Sequence, residues 1–139
     1  MIDPLLSNED LIQRANALRL TDLLQAQQYA ELAVARAEGQ VQLLAQALQI
    51  RGRIYSSRGL LGQALEDALA ARQLFGQLGD HFNVAVQDAV LGNVYVHEGL
   101  FTDALTLYLQ ALPYIEQSQS SEWYARLLNN LGYAYVQIK

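Results

Sequence analysis

Apolar residues along this chain recur every three or four positions, in blocks separated by short breaks of glycine, serine, asparagine or aspartate. This is the spacing of a helix face and not the alternation of a strand. The segment from Asp22 to Glu38 carries Ala26, Ala30, Ala33 and Ala37 on one face and is closed by Gly39. An opening helix is expected within residues 1–20, where Ser7 and Asp10 have the spacing of a capping box. Further helices are predicted over 41–57, 61–77, 81–97, 102–117 and 122–138. β-Branched runs are short, so the fold class is all-α.

The blocks repeat. Gly52, Gly92 and Gly132 fall 40 residues apart, and so do Tyr55, Tyr95 and Tyr135. At the same period Gly59 matches Gly99, Ala64 matches Ala104, and Ala71 matches Ala111. A fixed period of this size is the signature of stacked structural repeats. Gly52 and its equivalents lie inside helical patterns, where glycine costs about 1 kcal/mol relative to alanine. Close approach of a second helix would offset that cost, with Ala64 and Ala104 small enough to meet the glycine. Gly59 and Gly99 stand where the first helix of each pair ends, as a left-handed C-cap requires. The unit is therefore a helical hairpin.

The order Gly92, Tyr95, Gly99, Ala104, Tyr108, Ala111 resembles the tetratricopeptide repeat (TPR), in its longer, bacterial regulatory form. Gly52, Tyr55, Gly59, Ala64 and Ala71 give a second match in which Ala68 replaces the aromatic residue, and Gly132 with Tyr135 begin a third. The resemblance implies a right-handed superhelix of α–α hairpins forming one domain over residues 1–139. Residues 1–39 would be a degenerate first repeat, 40–79 and 80–119 full repeats, and 120–139 the first helix of a further, truncated one. Two departures stand out. Asp88 occupies a position the family fills with a large apolar residue, as Leu48 and Leu128 do here. Pro113 falls inside a helical pattern, where it should kink the helix and release the carbonyl of Leu109.

Composition narrows the function classes. The net charge is −5, and Lys139 is the only lysine beside eight scattered arginines. Phosphate backbones demand clustered cations, so no nucleic-acid partner is expected. No uninterrupted apolar run approaches the eighteen or so residues of a membrane span, and the N-terminus lacks the basic start and apolar run of a signal peptide. With no cysteine in the chain, a cytoplasmic location is expected. His81 and His97 are the only histidines, and no His/Asp/Glu cluster has metal-ligand spacing. Neither an enzymatic role nor a cofactor is expected.

By resemblance to the family, the first helix of each hairpin lines a concave groove. The first full repeat would contribute Gln46, Gln49, Arg53, Ser56 and Ser57. The second would contribute Val86, Ala89, Asn93, Val96 and His97, and the last Arg126, Asn129, Tyr133, Val136 and Gln137. The motif Leu128–Gly132, which reads LNNLG, adds Asn130. This lining is rich in amides, which both donate to and accept from peptide backbone, and its two arginines suit carboxylates. The expected partner is an acidic, extended protein or peptide segment. The family's carboxylate clamp is not reproduced: only Asn93 matches fully, with Gln49, Arg53 and Asn130 departing from it. Bacterial arrays of this type serve as N-terminal regulatory or scaffolding parts of signalling proteins, which sets that expectation here. Two other roles remain open. The last helix, with Leu127, Leu128, Leu131 and Tyr135 on its apolar face, could mediate homodimerisation. A pocket near Pro113 could sense a small ligand.

Overall fold

The computed structural model describes residues 2–138. They form seven α-helices, and no strand occurs among them. The helices are α1 (Asn8–Leu18), α2 (Leu23–Arg36), α3 (Val41–Ser57), α4 (Leu61–Gln77), α5 (His81–His97), α6 (Phe101–Ser118) and α7 (Ser121–Gln137).

Their ends are written locally. Ser7 and Asp10 form the reciprocal capping box, at 3.1 Å to the Asp10 amide and 3.4 Å back to the Ser7 amide. Asp22, Asp80 and Ser120 cap α2, α5 and α7 through their side chains. Three helices end in the same hydrogen-bonded motif. The amide of Leu60 donates to the Tyr55 carbonyl at 2.9 Å, that of Asp80 to Phe75 at 2.9 Å, and that of Leu100 to Tyr95 at 2.8 Å. Gly59, Gly79 and Gly99 make that turn possible with φ of +77°, +68° and +76°. Gly39 has φ +82°, and Gln119 takes φ +61° at the next position in the series. Positive φ thus recurs at 39, 59, 79, 99 and 119.

The opening helix lies within residues 1–20 as predicted and begins directly after its cap, Ser7. Residues 2–6 form a non-helical strap, in which the Leu5 amide donates to Asp3 Oδ1 at 2.9 Å. The Arg36 guanidinium holds the strap by donating to the carbonyls of Leu6, at 2.8 Å, and Pro4, at 3.1 Å. Pro113 does not end α6, which runs unbroken from Phe101 to Ser118.

The chain divides into two compact units, one up to Leu74 and one from Phe75 onward. In the first unit, α1, α2 and α3 pack together around Leu11, Ala26, Tyr29, Ala33, Ile50 and Ile54. There Gly52 admits α4: a Cβ on it would lie 3.1 Å from Asp67 Cβ and 3.6 Å from the Ala64 carbonyl. In the second unit, α5, α6 and α7 pack around Ala89, Leu105, Tyr108, Ile115, Leu127 and Leu131. Burial of each large apolar side chain here contributes about 1.5–3 kcal/mol. In this unit the residue opposite the glycine is not the expected Ala104. It is Tyr108, whose ring carbons would lie within 2.9 Å of a Cβ on Gly92. The difference follows from residue 68: with alanine there, the α4 backbone itself approaches Gly52, whereas at 108 an aromatic ring fills the same space.

Candidate interaction surface on α5 and α7

Three of the predicted lining residues, Gln46, Gln49 and Arg53, lie on α3 in the first unit and are half-buried. Neither Gln49 nor Arg53 is without a partner. Ser56 and Ser57 are exposed at the end of the same helix.

The second unit brings Asn93, His97, Arg126, Asn129, Asn130 and Tyr133 onto two helices that touch. Asn130 on α7 donates its side-chain amide to Asn93 Oδ1 on α5 at 2.9 Å. The same oxygen accepts the Tyr108 hydroxyl at 2.5 Å. Both lone pairs of the Asn93 carbonyl are then used. Around this tie, His97 is exposed at the end of α5, and Arg126, Asn129 and Tyr133 are exposed on α7. Tyr133 stands edge-on to Phe101 of α6, with ring centroids 6.4 Å apart. Val86 and Ala89, expected beside Asn93 in the lining, are buried, Ala89 within the core of the unit.

Arg126 has local company. It pairs with Glu122 at 3.1 Å and lies over the Trp123 ring at 5.4 Å. Both charged side chains are about half exposed or more, at 47% and 64%, so the pair is worth little and can exchange for another carboxylate. The indole below keeps the guanidinium oriented. Glu122 also supplies a carboxylate beside a predicted lining whose own members include no acidic residue.

Two polar features escaped the sequence reading. The Tyr108 hydroxyl joins the asparagine tie, and tyrosine in place of phenylalanine at a core position was its signal, because a buried O–H needs a partner. On the other unit, Arg51 holds Asp67 with both nitrogens, each at 2.8 Å, and covers the Tyr55 ring at 5.5 Å. Hydrogen bonding to Asp67 holds the Arg51 guanidinium in its charged form, and burial raises the Tyr55 hydroxyl above its ordinary range. One period later the same two positions are Leu91 and Leu107. A matched swap of two leucines for two opposite charges signals a contact.

A concavity of about 280 Å³ lies at the α6–α7 turn, lined by Ile115, Glu116, Gln119, Ser120, Ser121 and Tyr124. Neither Pro113 nor any of the predicted lining residues borders it. Among the described residues, no three His, Asp or Glu side chains converge as metal ligands, and no helix is long and apolar enough to cross a membrane. The chain matches no protein-family model, and a search of the curated proteins finds no significant relative.

Proposed function

We propose that this chain is a TPR-type array of helical hairpins that binds an extended, acidic segment of a partner protein along the first helices of its repeats. The observation that carries the reading is the Asn130–Asn93 bond. It sets the polar strips of α5 and α7 side by side, with His97, Arg126, Asn129 and Tyr133 exposed around it. Amide groups spaced along such a strip can hold a peptide backbone by donating to its carbonyls and accepting from its amides. Arg126, fixed over Trp123, would exchange Glu122 for a carboxylate of the ligand. The recurrence of the helix caps and glycine contacts supports the repeat assignment on which this rests. Binding would be an equilibrium process with no covalent step. A regulatory or scaffolding role in a bacterial cytoplasmic signalling protein fits such a module.

The test is an array of acidic and neutral peptides probed with the native chain and with Arg126→Glu. Native binding to acidic sequences that weakens with added salt, and falls about tenfold or more in the variant, is expected. Arg126 is exposed, so circular dichroism should show the variant as helical as the native chain. Equal binding by both proteins, or none by either, would remove the proposal.

A further inference from the structure

The left-handed turns of this chain differ at one position. Residues 39, 59, 79 and 99 are glycine, and residue 119 is glutamine. Gln119 has φ +61° and ψ +19°, a conformation in which a Cβ crowds the neighbouring backbone. Among the described residues no other non-glycine takes positive φ. Glycine would make the same turn without the strain, as it does at Gly79 and Gly99. Strain of this kind persists where the strained residue is used.

Gln119 lines the concavity of about 280 Å³ at the α6–α7 turn. Two more of its six lining residues break the repeat. Glu116 falls 40 residues after Gly76, and Tyr124 falls 40 after Val84. One period earlier the same three positions thus carry glycine, glycine and valine. Here they carry a carboxylate, an amide and a phenol. Ile115, buried in the core of the unit, supplies an apolar wall. Ser120 is already occupied, because its hydroxyl accepts from the Trp123 amide at 3.4 Å.

The chemistry of this lining favours a cation. Glu116 is the only charged residue of the six. It stands in the last turn of α6, which contains no basic side chain. The last carbonyls of a helix carry partial negative charge of their own, so the carboxylate adds to a field of the same sign. The Gln119 carbonyl can accept a hydrogen bond, and the face of the Tyr124 ring can attract a cation beside it. A volume just below the roughly 300–1,000 Å³ of ligand sites sets a small occupant.

We propose that this concavity binds a small primary ammonium compound, its charge on Glu116 and Gln119 Oε1 and its short apolar body against Ile115 and Tyr124. None of the residues proposed to meet a peptide lines the concavity, so the inference does not rest on peptide binding.

Titration with benzylamine, followed by backbone amide chemical shifts, tests it. Saturable shifts confined to residues around 115–124 are expected, with a dissociation constant of about 1–10 mM for so small a probe. Benzyl alcohol and benzoate, similar in shape but neutral and anionic, should bind about tenfold more weakly or not at all. Glu116→Gln should weaken benzylamine about tenfold. Glu98→Gln removes the same charge at the opposite end of α6 and should leave binding within about twofold. Gln119→Gly should separate stability from binding: the melting temperature should hold or rise as the strain goes, while affinity falls about threefold or more. No saturable shift, or equal binding of the three probes, overturns the proposal. So does a Glu116→Gln chain that binds like the native one. A Gln119→Gly chain that melts lower than the native one would show that folding requires the glutamine, and also overturns it.

Discussion

Tyr108 closes the approach to Gly92 with its ring and ties Asn93 with its hydroxyl. Burial pushes that hydroxyl up to about 12 from an ordinary value of 10.0. A raised folded-state pKa means that the unfolded chain gives up the proton first. The stability contribution is therefore complete below about pH 10 and is lost as pH rises from there through 12. The loss should be on the order of 2 kcal/mol. Urea unfolding at about pH 9 and about pH 11 should show roughly half of the full loss, and Tyr108→Phe should flatten most of the difference. Tyr55, also raised by burial, adds to the slope in the same direction. Arg51 and Asp67 allow a second comparison. Asp67→Leu alone leaves a half-buried guanidinium without its partner and should cost about 2–4 kcal/mol. Arg51→Leu/Asp67→Leu copies the leucines of the next repeat and should recover most or all of that loss. A double variant as unstable as the single one would show that the ion pair is needed for more than filling its space.

At the scale of the helices, the three repeat glycines separate packing from propensity. Gly92→Ala gains about 1 kcal/mol of helix propensity but drives a methyl into the buried Tyr108 ring, where overpacking costs about 1–3 kcal/mol. A net loss is expected. Gly132→Ala meets nothing and should gain about 0.5–1 kcal/mol when unfolding is followed at submicromolar concentration. Equal effects at both sites would show that Tyr108 does not set the requirement for glycine. Helix ends were legible because caps are local: Asp80, Ser120 and the glycines at 59, 79 and 99 act on residues within one turn. The start of α1 was legible for the same reason, through the Ser7–Asp10 capping box, whereas the course of the residues before it is not set locally. The strap before Ser7 is held by Arg36, some thirty residues away.

For the molecule as a whole, the period of 40 was the most legible property, since it needs only like residues at like positions. Which residues would meet a ligand was less so. Asn93 and Asn130 were identified as lining residues from their positions, but the structure spends part of each on the other. Val86 and Ala89 share the predicted face with Asn93, yet they are buried by neighbours whose identity no single-helix pattern contains. Glu122 lies outside the family's lining positions and was missed for that reason, although it meets Arg126 one turn away. The left-handed caps at 39, 59, 79, 99 and 119 also govern how such a chain can change length. A duplication or deletion of forty residues returns every cap, glycine and tyrosine to its phase, even when both cuts fall inside helices. A gain of three residues within a helix turns everything after it by about 300° and sends its buried stripe elsewhere. Relatives of this chain should therefore differ in length by whole repeats, with smaller insertions confined to the turns.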